Sequence, residues 1–103
     1  MPDATVNLVM GETREIAGTL TGTATLTVNT ATWALENSSG IVPGYGGACS
    51  SIDAPGLTVN AWAILDTIAL PVGIYNLIFT MNLSNGEIVT PVVRVVVADP
   101  RYV

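Results

Sequence analysis

The chain has 103 residues, 50% of them hydrophobic and 11% charged, with a net charge of −5. This length makes a single domain over 1–103, and a mean hydropathy of +0.56 predicts either apolar surface that meets a partner or strands buried on both faces. Arg14, Arg94 and Arg101 without any lysine cannot build the clustered basic surface that nucleic acid requires, and they leave anionic membranes disfavoured as well.

The N-terminus Met1-Pro2-Asp3 has neither the positive n-region nor the apolar h-region of a secretory signal, which sets the expectation of synthesis in the cytoplasm. Residues 5–10 read as a first strand and 14–20 as a second, with Gly11-Glu12-Thr13 as the turn between them. In the second strand Ile16 and Leu20 are expected to face inward, and Gly18 weakens it or marks a bulge. Thr21-Gly22-Thr23 is expected to break the chain before residues 24–29, where Ala24, Leu26 and Val28 alternate with Thr25, Thr27 and Asn29 as in a half-buried strand. Residues 31–36 follow, with Trp33 and Leu35 inward.

The Gly and Pro density of 37–47 predicts a long loop with Tyr45 at its tip, either a contact residue or one exposed ring on a mobile surface. Residues 48–52 predict a short strand that buries Cys49. Residues 57–65 begin as a strand with Leu57, Val59 and Ala61 on one side; from Trp62 the pattern fits a strand or the edge of a helical turn. Trp62 is out of phase with Val59 and Ala61, so it is a candidate partner contact on the second face. No apolar run is long enough to span a membrane as a helix; the one beginning at Ala61 stops at Asp66. Asp66-Thr67 reads as a single turn in which the Asp side chain accepts from nearby amides.

The clearest element is a hairpin of 74–83 and 87–98, turning at Ser84-Asn85-Gly86, because Asn-Gly tolerates the positive φ of a tight turn. Tyr75, Leu77, Phe79 and Met81 share one face, and Val93, Val95 and Val97 share one on the partner strand. Pro91 inside the second strand demands an edge or a bulge. The tail at 99–103 places Tyr102 as a further candidate contact. About seven short strands separated by Gly, Pro and Asn turns predict an all-β protein, an antiparallel β-sandwich.

Histidine is absent, so no Ser-His-Asp or Cys-His catalytic arrangement can form. The lone Cys49 excludes an internal disulfide and, with no cation beside it in sequence, reads as a buried structural thiol. The eight carboxylates show no EF-hand spacing; Asp53 and Asp66 are the nearest candidates for a loop-built calcium site, with solvated surface acids as the alternative. No Gly-rich phosphate motif follows a strand. These absences set the expectation of a protein without catalytic residues or cofactors that acts through apolar contacts.

Gly73-Ile74-Tyr75-Asn76-Leu77 resembles the tyrosine corner of immunoglobulin-like sandwiches, where a Gly-x-Tyr-x-Cys run opens the strand before the last hairpin and the Tyr hydroxyl bonds to upstream backbone. Leu77 stands where antibody domains carry cysteine, which excludes an antibody-type domain. Gly11-Glu12-Thr13, Ala31-Thr32-Trp33-Ala34, Leu70-Pro71-Val72-Gly73-Ile74-Tyr75, Asn85-Gly86 and the Val-rich 93–100 follow one another in an order that resembles small bacteriophage proteins and baseplate-type N-terminal modules with immunoglobulin-like sandwiches. The resemblance covers nearly the whole chain, although the Gly-rich 39–47 has no counterpart in it. It implies a non-enzymatic virion component (capsid decoration, neck, tail or baseplate) made in the host bacterial cytoplasm. Its implied partners are other virion proteins, with several copies or a homo-oligomer expected. The rival expectation is an immunoglobulin-like binding module of a bacterial surface or secreted protein.

Overall fold

A computed structural model describes residues 4–68 and 70–99. Among these residues there are nine strands and no helix. The strands are β1 (Ala4–Val9), β2 (Thr13–Leu26), β3 (Val28–Asn37), β4 (Gly40–Ala48), β5 (Ser51–Asp53), β6 (Gly56–Asp66), β7 (Gly73–Leu83), β8 (Ile88–Val89) and β9 (Val92–Ala98). One sheet has the order β1-β9-β7-β3-β4, with β8 added to β7, and the other has the order β2-β6-β5. The second, sixth and fifth strands in one layer against the third, seventh and ninth in the other reproduce the B-E-D and C-F-G arrangement of an immunoglobulin-like sandwich. Two features differ from the expected seven-stranded antiparallel form. The described strands number nine, and β1 runs parallel to β9, from Ala4 opposite Val93 to Val9 opposite Ala98.

Alternation builds the core. Leu77, Phe79 and Met81 of β7 are fully buried and Tyr75 nearly so, facing Val59, Ala61, Ala63 and Leu65 of β6, with Val93, Val95 and Val97 beside them on β9. Each full-sized aliphatic or aromatic side chain buried in this way contributes about 1.5–3 kcal/mol. The hairpin forms as its sequence predicts: Met81 pairs with Val89, and Ile78 pairs with Val92. Gly86 adopts a φ of 91° in the turn, and the Asn85 side-chain oxygen accepts the Glu87 N–H at 2.9 Å. Pro91 lies in the gap between β8 and β9, where its carbonyl accepts the Phe79 N–H at 2.9 Å.

Several boundaries differ from the sequence expectation. Thr21-Gly22-Thr23 does not end the second strand; β2 continues to Leu26 through an irregularity between Thr21 and Leu26, and Ala24 is exposed. The chain crosses between layers at Thr27, so 24–29 is not one strand. Gly18 marks no bulge, because β2 keeps register with β6 from Thr13 to Thr21. The predicted loop 37–47 is instead the turn and second strand of a β3–β4 hairpin, in which the Asn37 side chain accepts the Ser39 N–H at 2.8 Å and Gly40 takes a φ of 121°. Pro43 is tolerated there because β4 is an edge strand. Residues 48–52 do not form one strand: Cys49 donates its N–H to Ala31 in one sheet, Ser50 donates to Trp62 in the other, and only then does β5 begin. Leu57 is 56% exposed at the end of the sandwich rather than inward.

The turn after β6 forms as Asp66-Thr67 suggests, with Asp66 Oδ1 accepting the Ile68 N–H at 3.0 Å. Thr67 is fully buried, and its hydroxyl oxygen accepts the Gly11 N–H at 3.0 Å. Its proton faces the Glu12 carbonyl at 2.7 Å and the Val9 carbonyl at 3.2 Å. One side chain thus holds the β1–β2 turn onto the end of β6.

Candidate functional site

The two outer faces of the sandwich differ in chemistry. On the small sheet, side chains that point away from the core are laced together by hydrogen bonds. Thr19 bonds to Asn60 at 2.6 Å, the Thr21 and Thr58 hydroxyls lie 3.2 Å apart, and the Trp62 ring N–H donates to Asp53 at 3.0 Å. Glu15 and Asp66 add carboxylates to this face, and Ile64 interrupts it. It is a solvent-facing surface already satisfied by its own polar pairs.

The outer face of the large sheet is mixed, with Thr and Asn side chains such as Thr32, Thr80 and Asn82, the last donating to the Thr30 hydroxyl at 2.8 Å, but it carries an apolar patch. Because Leu77 and Phe79 point inward, Ile74, Asn76 and Ile78 point outward on β7. Register then carries the pattern across the sheet: Ile74 lies beside Val96, Ile78 beside Val92 and Ala34, and Ala34 beside Gly46. Ile74 is 57% exposed, Val72 52% and Ile41 60%. An open apolar groove of about 530 Å³ runs along Val72, Ile74, Val96 and Ala98, and a second depression of about 290 Å³ lies over Ala34, Ile41 and Pro43. Among the described outward residues of β1, β9, β7, β3 and β4, Arg94 and Glu36 are the charged ones. They stand on one transverse row, with Asn76 between them.

The residues singled out from sequence are distributed otherwise. Tyr75 donates its hydroxyl to the Pro71 carbonyl at 2.6 Å, the bond that a tyrosine corner needs. Burial pushes its phenol above the ordinary tyrosine value, and the neighbouring Tyr45 adds to the shift. A Cβ built on Gly73 would lie 3.8 Å from the Tyr75 ring, an ordinary contact, so the corner does not require glycine there. Tyr45 is not at a loop tip; it sits in β4, half-buried and packed against the core, and it also lines the second depression. Trp62 lies on the polar face with its ring nitrogen bonded to Asp53, away from the apolar groove. Tyr102 lies outside the described residues. Asp53 pairs with Asn60, whereas Asp66 ends β6 six residues further on, about 20 Å at strand rise, so the two carboxylates do not converge on a cation. Among the described residues no group of three or more acidic, Cys or His side chains could hold a metal. Cys49 is half-buried, and burial pushes its thiol up. No helix among these residues is long and apolar enough to cross a membrane.

No family model matches the chain, and no curated protein matches it. Among solved structures it is similar to a family 123 glycoside hydrolase from Clostridium perfringens, with a TM-score of 0.51 and 15% identity over 92% of this chain and 23% of that one. This likeness is one of fold. The chain spans about a quarter of that hydrolase, and glycolipid glycan hydrolysis is a property of that protein.

Sequence reasoning missed the outward apolar row; of the contacts it weighed, Tyr45 lines the second depression and Trp62 lies on the other sheet. A signal for the row is present in the sequence: Ile74, Val92 and Val96 are apolar and out of phase with the inward set of β7 and β9.

Proposed function

We propose that this chain is a non-enzymatic structural protein of a bacteriophage virion, a capsid decoration, neck or tail/baseplate component that acts through protein–protein contacts. The observation that carries the contact reading is the outer face of the large sheet, where Val72, Ile74 and Ile41 are more than half exposed around two apolar depressions. A free surface of this kind marks a site that another protein covers. The virion itself is supported by the ordered motifs of the sequence and their likeness to phage modules. The test is to replace Ile74 and Ile41 with Asp and follow incorporation into purified particles by mass spectrometry. The expected result is an unchanged circular dichroism spectrum with at least a tenfold loss from particles. Undiminished incorporation would remove the face from the mechanism, and absence of the wild-type chain from particles would remove the virion.

A second reading, a binding module of a bacterial surface or secreted protein, draws support from the occurrence of this fold within a much longer chain. Under that reading the protein is recovered from the cell envelope or medium, and particles lack it.

A further inference from the structure

We infer that the partner on the apolar face is a second copy of this chain, packed sheet to sheet about a two-fold axis that runs along β7. The inference rests on the contact reading above and names the occupant. β7 is the middle strand of the five in β1-β9-β7-β3-β4, with two strands on either side. A two-fold axis lying in the interface parallel to β7 therefore superposes the sheet on itself, placing β3 of one copy over β9 of the other. Facing sheets pack about 10 Å apart with their strands roughly aligned, which this arrangement satisfies.

Two neighbouring rows near the middle of the face are self-complementary about that axis. Glu36, Asn76 and Arg94 occupy one transverse row. Within one copy, Glu36 and Arg94 are separated by two strand spacings, about 10 Å, and no ion pair joins them. The axis brings Glu36 of each copy over Arg94 of the other, forming two equivalent pairs, and sets Asn76 over its counterpart, where each amide can both donate and accept. One row along, Ile78 meets Ile78 and Ala34 meets Val92, apolar on apolar. An axis perpendicular to the strands and passing through this row would instead stack Glu36 on Glu36 and Arg94 on Arg94, so at this row the charges favour the axis along β7. The size also suits a dimer. The molecule measures 45 × 24 × 23 Å, so a broad face is on the order of 1,000 Å², against about 800 Å² per partner in a standard interface.

The experiment is sedimentation equilibrium on the wild type, Glu36→Arg, Arg94→Glu, an equimolar mixture of the two single variants, and the double exchange. The wild type is expected to be dimeric, and each single variant at least tenfold weaker in self-association, since like charges then face each other. The mixture is expected to recover dimer, because one copy then carries two arginines and the other two glutamates; the double exchange recovers it as well. A monomeric wild type, single variants that dimerise as the wild type does, or a mixture that stays monomeric would each overturn the inference. Particle incorporation of the Ile74 and Ile41 variants reads the contact surface separately, so a monomeric wild type whose incorporation still depends on that face would overturn the dimer and leave the proposed function standing.

Discussion

Phe79 rests on the backbone of Gly18, and a methyl group built there would lie 2.4 Å from the ring. The glycine is there for space, since β2 passes it in regular register. Gly18→Ala is therefore expected to destabilise the protein by about 1–3 kcal/mol, the usual cost of overpacking, seen as a lower midpoint in urea. Sequence could not reveal this role, because the ring that needs the space comes 61 positions later in the chain. The Thr67 clasp was hidden for the same reason: its partners lie 55 to 58 positions earlier. Tyr75 was legible because its motif is local, its acceptor being Pro71 four residues away. Tyr75→Phe is expected to cost about 1–2 kcal/mol at neutral pH, the scale of a buried hydrogen bond. The raised phenol adds a pH signature. Ionisation is harder in the fold than in the unfolded chain, so the contribution is complete below the unfolded value near pH 10 and is lost as pH rises through the higher folded value. The gap between wild type and Tyr75→Phe in denaturant melts is thus expected to shrink above about pH 10, whereas a gap that stays constant would detach the hydroxyl from stability.

Elements were legible where period and turn chemistry agreed. β7 shows both, with inward residues at every second position and an Asn-Gly turn at its end. β4 shows neither. Its glycines at 44 and 47 take φ values of 82° and 147°, and Pro43 removes a donor, so a real edge strand resembles a loop in sequence. In β2, Thr21-Gly22-Thr23 resembles a break in sequence, yet threonine favours extended backbone and the strand carries on past it. These differences set an order of local stability. β7 is paired on both sides, to β9 and β8 and to β3, whereas β4 and β5 are edge strands with exposed backbone. Hydrogen exchange is expected to be slowest at the inward-facing positions of β7 and fastest in β4 and β5. Protection of β4 equal to that of β7 would argue against this hierarchy.

For the whole molecule, composition announced a surplus of apolar surface without saying where it lies. Part of it, at Ile64 and Ile68, lies elsewhere, and the part on the large sheet depends on register between strands distant in sequence, which sets Ile74 beside Val96 and Ala34 beside Ile78. Of the aromatic contact candidates, Tyr45 packs against the core and lines the second depression, whereas Trp62 lies on the other sheet and bonds to Asp53. The proposed contact face is built largely of medium-sized aliphatic residues, each unexceptional alone. Its asymmetry with the hydrogen-bonded small sheet is what directs both proposed experiments to β7 and its neighbours.

The parallel seat of β1 on β9 has a mechanical meaning. Ala4 and Ala98 stand at opposite ends of one six-rung ladder, so pulling on the two ends drags the strands lengthwise past each other. All the rungs then share the load together, where a hairpin opened from its mouth would surrender them singly. A sandwich stretched from these two ends is therefore expected to resist up to a sharp yield point.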